Sequence, residues 1–562
     1  MNASSHSFLR ASTRTSMALA LMRDAFIGDV LYHVSRHRLF QHPEDRPGFT
    51  IPTPRRSVKS TRSGLSSRSN LEITTVAEPE RLDDEESQLP RVDSDLITIV
   101  VPESSEQQRP ARQNVVEVEE GDLAKEKEKA SRTLRTGPSP KKYFITFQIC
   151  LLTLSVYIGS AIYSPGIDEI AAQFGVSPVA ATLGLTLFVV GYGIGPMFLS
   201  PLSELPQIGR TTVYISILAR CSRCASSPAL ATGGATLNDM WAPGHRAAVI
   251  GLWGVAGISG PVLGPLLGGF ATQGEDWTWT IWILLWMSGV TLVFLTLFLP
   301  ETSADALLYR RATRLRRITG DNRFKSEGEI EVEHMTVGDI AMMHLVRPFI
   351  LMFVEPIVAF WNIYIALVYG ILYIFIESFR VVFVEEHGFN LGENGLAFLG
   401  IFVGTVLTYV VFAPYTLRVL KPKFVDNTFV PEMRLPIAIV GSVLLPISMF
   451  WFGWTSSASV HWIVPIIASA FFSAGTYMLF QAGLNYLANC YPRYVASVLA
   501  GNDFFRSMIG AAFPLFSTAF FHNLGVGPAC SLLGGVAVMM LPIPWILYRY
   551  GARIRSWSKY AD

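Results

Sequence analysis

The sequence predicts an all-α membrane protein: two lobes of spanning helices joined by a basic central segment and preceded by a long polar tail. Three observations carry that reading. Of 562 residues, 50% are hydrophobic and only 16% charged, where a soluble domain carries about a quarter charged. After residue 140, apolar segments of about twenty residues recur, the length that crosses a bilayer as a helix. Lysine and arginine gather in particular loops, as they do on the cytoplasmic side of membrane proteins. The 45 Lys and Arg nearly cancel 44 Asp and Glu, which gives no hint of a nucleic-acid partner. Five scattered cysteines suggest no disulfide framework.

Residues 1–140 are polar, with runs such as "RRSVKSTRSGLSSRSN" and "EVEEGDLAKEKEKASR", and hold too few large apolar residues for a core. They read as a mostly disordered cytosolic tail. Within it, residues 16–40 place apolar side chains at helical spacing beside basic ones. That pattern fits an amphipathic helix on a membrane surface, and equally a short helix packed on the rest of the protein or on nothing. The segment lacks the charged start, continuous apolar stretch and cleavage site of a signal peptide.

The apolar spans fall near 143–165, 180–202, 247–271, 279–299, 349–376, 394–417, 434–454, 461–487, 496–521 and 527–549, with a disputed piece at 211–240. Unpaired backbone is not tolerated in hydrocarbon, so these are helices packed together. They divide the chain into an N-terminal lobe, 141–300, a central loop, 301–348, and a C-terminal lobe with a short tail, 349–562. The central loop contains "YRRATRLRRITGDNRFK", and the C-terminal tail reads "YRYGARIRSWSKYAD". Both are expected in the cytosol, with the N-terminus, while the acidic, aromatic "ATQGEDWTWT" fits an outer interface.

Parity makes 211–240 a problem. The chain must leave the cytosolic side near Arg210 and return by Arg246, which takes two helices or roughly forty residues. About thirty are present, and Cys221, Arg223 and Cys224 interrupt them. A single span there would invert every later loop and put "RRATRLRR" outside. The Cys221 and Cys224 pair lacks the further ligands a zinc ion needs, about four in all, and no metal site is expected. The better reading is a deletion scar near 219–226, left by a mis-spliced gene model or a truncated allele.

Two motifs carry the function. In "LFVVGYGIGPMFLSPLSELPQIGR", glycines permit close helix approach and prolines bend the segment, while Glu204, Gly209 and Arg210 form a tight turn. The motif resembles the loop between the second and third helices of the major facilitator superfamily, in the wording of fungal drug:proton antiporters. The second motif, "GLWGVAGISGPVLGPLLGGF", carries Gly257, Gly260, Pro261, Gly264, Gly268 and Gly269. It is a poor helix unless it packs tightly, and it looks like the antiporter motif of the fifth helix in that family. "PETSADALLYRRATRLRRITGD", "EPIVAFWNIYIALVYGILYIFIESF" and "YLANCYPRYVASVLAGNDFFRSMIGAAFPLF" extend the resemblance over nearly all of 143–556. Together they look like the twelve-helix exporters of benomyl-, fluconazole- and caffeine-type compounds. The implied fold is the two-lobed helical bundle of the superfamily, nominally twelve helices with the third and fourth truncated here. Two departures stand out. The family's fourth-helix arginine has no safe equivalent, and Asp503 occupies a position where these relatives usually have an uncharged residue.

An ionisable group inside a bilayer normally faces water or a partner. Glu377, with Tyr373 and Tyr369 one and two turns before it, can present a carboxylate and two aromatic hydroxyls to a cavity, and is the proton-coupling candidate. A wet position at the interface is the other reading. Tyr477, Gln481, Asn485 and Asn489 follow at i+4 steps, a polar stripe that lines a cavity or ties helices together. Tyr369, Tyr373, Tyr477, Gln481 and Asn485 are therefore the substrate-cavity candidates. Asp503 and Arg506, three apart, are expected to pair.

The resemblance implies proton-coupled efflux of drugs, fungicides or toxic metabolites across the plasma membrane by alternating access. It implies a monomeric multi-pass carrier with no cofactor and no catalytic residues. Its partners are a small-molecule drug or toxin, protons and the lipid bilayer, not nucleic acid. An inactive carrier, owing to the truncated region, is the alternative. Uptake is a third reading. A membrane-bound enzyme is a remote one, since the histidines are scattered and no nucleotide loop appears.

Overall fold

The computed structural model describes residues 22–35, 39–42, 45, 139–220 and 229–560, apart from single positions or short stretches at 323, 334, 337, 339–341, 343–345, 427, 493 and 559. The amphipathic segment at 16–40 lies only partly within them, and Cys221, Arg223 and Cys224 lie outside.

The described chain is helical. The tail contributes α1 (Phe26–Val34). The first lobe holds α2 (Ser139–Ile158), α3 (Pro178–Leu202), α4 (Arg210–Arg220), α5 (Ala229–Met240), α6 (Pro243–Gly274) and α7 (Thr278–Phe298). The basic segment forms α8 (Ala304–Thr319). The second lobe holds α9 (Pro356–Phe379), α10 (Leu399–Tyr415), α11 (Leu435–Thr455), α12 (Ile463–Cys490), α13 (Val495–Ala512), α14 (Pro514–Leu524), α15 (Val526–Met540) and α16 (Pro542–Arg555). Among the described residues, eight helices are long and apolar enough to cross a membrane. Ser497–Ala512 and Pro514–Leu524, bent by 45°, make a ninth if they act as one span. Proline opens α6 and α9 at the first helical positions, where its missing N–H costs nothing.

Burial sorts the helices. α9 is the central one, with 78% of its most apolar stretch buried, against 11% for α7. α7 accordingly shows Trp279, Trp282, Trp286, Val290 and Val293 on its outer face, and the tryptophans sit at one end, as in an interfacial aromatic belt.

The described residues around 211–240 form two antiparallel helical segments on either side of 221–228. Tyr214 of α4 hydrogen-bonds Thr236 of α5 at 2.9 Å, and Arg210 pairs with Asp239 at 2.8 Å, so the start of one meets the end of the other. With 11 and 12 residues they reach about 17 and 18 Å at 1.5 Å per residue. Hydrocarbon is about 30 Å thick, more than either described segment reaches.

α1 packs on the central segment. Ala25 forms an antiparallel bridge with Pro300. Asp29 pairs with Arg310, and Asp45 with Arg317 at 2.8 Å, whose guanidinium lies 5.4 Å from the centre of the buried Tyr32 ring.

Candidate functional site

The glycines of α6 set the geometry. A Cβ on Gly260 would stand 2.2 Å from the Tyr157 Cβ, on Gly264 2.8 Å from the Ile162 backbone nitrogen, and on Gly268 2.2 Å from the Ile162 carbonyl oxygen. α6 therefore presses its bare backbone against α2. Its far end meets the other lobe, since a Cβ on Gly269 would stand 2.4 Å from the Leu391 carbonyl oxygen. Gln273 accepts a hydrogen bond from the Gly392 N–H there at 3.0 Å. Gly257 differs: a Cβ there meets nothing nearer than 3.9 Å, because it faces a cavity.

That cavity lies between the lobes and holds about 700 Å³ of empty space, part of it open to solvent. α2 supplies Thr153 and Tyr157, α6 supplies Trp253, Gly254, Gly257 and Pro261, and α9 supplies Tyr369 and Leu372. The opposite wall is Phe480, Gln481 and Leu484 of α12 with Asn502, Asp503 and Arg506 of α13. The lining is mostly apolar and aromatic with a few converging polar groups, the usual make-up of a small-molecule site.

The polar groups are organised around Arg506. Its Nε and Nη2 donate to Asp503 Oδ1 at 3.0 and 2.6 Å, and Nη2 also donates to the Tyr157 hydroxyl at 2.9 Å. The guanidinium lies 5.2 Å from the Tyr369 ring centre and 5.5 Å from that of Phe480, within cation–π range. Behind it, the Tyr192 hydroxyl contacts those of Tyr369 at 2.6 Å and Tyr373 at 3.2 Å. Asn502 donates to Asn362 at 2.8 Å.

The candidates read from the sequence separate. Tyr369 and Gln481 line the cavity, and Tyr373 stands behind Tyr369 in the hydroxyl cluster. Tyr477 and Asn485 do not line it. Tyr477 donates to the Gly251 carbonyl at 3.0 Å, tying α12 to α6. Asn485 donates to the Gln481 carbonyl at 2.8 Å and Asn489 to the Asn485 carbonyl at 2.6 Å, so this part of the stripe is satisfied along its own helix. Glu377 also lies outside the cavity lining. It stands half-buried at the end of α9 and accepts from Ser164 at a long 3.5 Å, near the Arg380–Asp168 ion pair.

The turn before α4 is built on Gly209, at φ +72°, where a Cβ would stand 2.3 Å from Glu301 Oε2. The buried Glu301 carboxylate accepts the N–H groups of Arg210 at 3.1 Å and Thr211 at 3.3 Å. It thereby caps the positive end of α4. Glu204 is exposed in this turn. Glu301, Tyr157, Tyr192 and Trp253 were not singled out from the sequence. Only Glu301, an acid directly after a span, carried a signal that could have flagged it.

Two helical lobes around an aromatic cavity with a buried ion pair define a membrane carrier. The chain belongs to the Major Facilitator Superfamily, whose model matches residues 218–514. It is 45% identical over 456 residues to the transporter mfs1 of Schizosaccharomyces pombe, covering 76% of this chain and 86% of that protein. It is 43% identical to the multidrug transporter FLR1 of Candida glabrata, covering 75% and 80%. The cycloheximide resistance protein of Candida maltosa is 35% identical over 96% of this chain and 100% of its own length.

Proposed function

We propose that this protein exports drugs, fungicides or toxic metabolites across the plasma membrane in exchange for protons, as a monomer with both termini in the cytosol. The cavity carries this reading. It joins residues of both lobes, so rocking the lobes changes which side it faces, and its aromatic walls suit apolar or cationic compounds without fixing one structure. The relatives named for multidrug and cycloheximide resistance support the same substrate class. Tyr369, Phe480 and Gln481 contact the substrate in this reading. Glu204, Gly209 and Arg210 form the turn that moves with the lobe. Glu377 and Asp503 are the carboxylates available to carry a proton.

Expression in a drug-hypersensitive yeast tests the reading. Growth on cycloheximide or fluconazole should improve, and a protonophore should abolish export. No resistance from protein that reaches the cell surface would sink the proposal.

A second reading, a non-transporting carrier, is favoured by the shortage of residues between Arg210 and Arg246 for two spans. The same assay separates the two when run beside a chain whose 213–240 stretch has been lengthened to two full spans.

A further inference from the structure

We propose that Asp503 is the carboxylate that takes up and releases the coupled proton, with Arg506 as the positioning residue that links its charge to the other lobe. This rests on the proton-coupled reading above.

Arg506 places both of its bonds to Asp503 on one oxygen, Oδ1. The other, Oδ2, is buried and has no hydrogen-bond partner, although Asp503 lines a cavity open to solvent. A buried acceptor left unsatisfied is costly, and Oδ2 is the oxygen that can take a proton without displacing either bond from Arg506. The guanidinium is retained when the proton arrives, because the Tyr369 and Phe480 rings and the Tyr157 hydroxyl still hold it.

The step is a simple transfer. A hydronium ion on the outer side gives its proton to Oδ2 and leaves as water, the carboxylate becomes a neutral acid, and Arg506 keeps its charge. The pair goes from net zero to net +1. On the inner side the proton returns to water and the pair is neutral again. Since Tyr157 belongs to the first lobe and Asp503 and Arg506 to the second, a weakened Asp503–Arg506 attraction shifts Arg506 toward Tyr157 and alters the contact between lobes.

Among the described residues that line the cavity, Asp503 is the one carboxylate, and no histidine stands there. Tyrosines face it: Tyr157 from α2, Tyr369 and Tyr373 from α9, and Tyr192 from α3 behind them. α6 and α12 present Trp253 and Gln481, which do not titrate. From α5, Asp239 is held by Arg210. Arg347, on the segment before α9, lies over Tyr494. Two buried carboxylates lie away from this cavity: Glu355 accepts from Tyr491 at 2.9 Å, and Glu432 pairs with Arg555 at 3.3 Å.

The experiment uses the full chain in proteoliposomes with tritiated fluconazole, comparing the wild type with Asp503→Asn, Asp503→Glu and Glu377→Gln. Two quantities are read: uptake driven by an imposed pH gradient, and fluconazole exchange with no gradient. Coupling between two ligands is typically 5–150-fold and reciprocal. Asp503→Asn should therefore lose gradient-driven uptake on the order of tenfold or more while exchange falls far less. Asp503→Glu should keep both, with a shifted pH dependence, and Glu377→Gln should lose far less gradient-driven uptake than Asp503→Asn. Gradient-driven uptake by Asp503→Asn at the wild-type level overturns the proposal, as does its loss in Glu377→Gln alone. If Asp503→Asn does not fold, the Asp503→Glu profile decides: an unshifted pH dependence of uptake overturns it. A wild type that exchanges fluconazole but ignores the gradient fails the proton-coupled reading itself, a different result from failure of the Asp503 variants.

Discussion

Gly260 lies so close to Tyr157 that a side chain there would put its Cβ 2.2 Å from the tyrosine's own. The contact positions the Tyr157 hydroxyl, which accepts from Arg506 across the cavity. Gly260→Ala is expected to destabilise the protein by about 1–3 kcal/mol, the usual cost of overpacking, because the clashing neighbour is a Cβ beside backbone and has no flexible end to give. Gly257→Ala should leave stability nearly unchanged, since the new Cβ meets nothing nearer than 3.9 Å. Thermal unfolding of the purified pair in detergent checks both, and equal midpoints for the two variants would count against the packing account.

Glu301→Ala should cost about 1–3 kcal/mol by leaving buried N–H donors unmade, those of Arg210 and Thr211 among them. Glu301→Gln should cost less, because its amide oxygen still accepts. The readout is the folded yield of each variant, with the alanine ranked below the glutamine.

The hydroxyl of Tyr477 meets a backbone carbonyl and does not line the cavity, so Tyr477→Phe should cost about 0.5–1.5 kcal/mol and leave the range of exported compounds as it is. Gln481→Ala removes a cavity wall and should change that range. A resistance panel on the two strains at matched expression tells them apart, and the reverse pattern would show that Tyr477 contacts substrate.

Transcript sequencing across Val213–Met240 should reveal roughly twenty further apolar residues, enough for two full spans between Arg210 and Arg246. A message identical to the present sequence is instead expected to give a misfolded or inactive carrier.

The helices were legible because an uninterrupted apolar run is a strong local signal: 247–271 became Pro243–Gly274, and 279–299 became Thr278–Phe298. The close contact of α6 was legible from Gly260, Gly264 and Gly268, since only the lack of a side chain explains so many glycines in a helix. The cavity wall was less so. A helix apolar on all sides does not encode its rotation about its axis, so nothing local marked Tyr157 as facing inward. The stripe Tyr477, Asn485, Asn489 was legible as polar, yet its amides bond down their own helix and its hydroxyl bonds across to α6. The i+3 spacing of Asp503 and Arg506 foretold the pair, but not the rings and the tyrosine hydroxyl that hold the guanidinium.

The contact of α1 with the central segment also makes the tail part of the link between the lobes. Ala25 bridges Pro300 and Asp29 pairs with Arg310, so a movement of the lobes that shifts this link carries the tail helix with it.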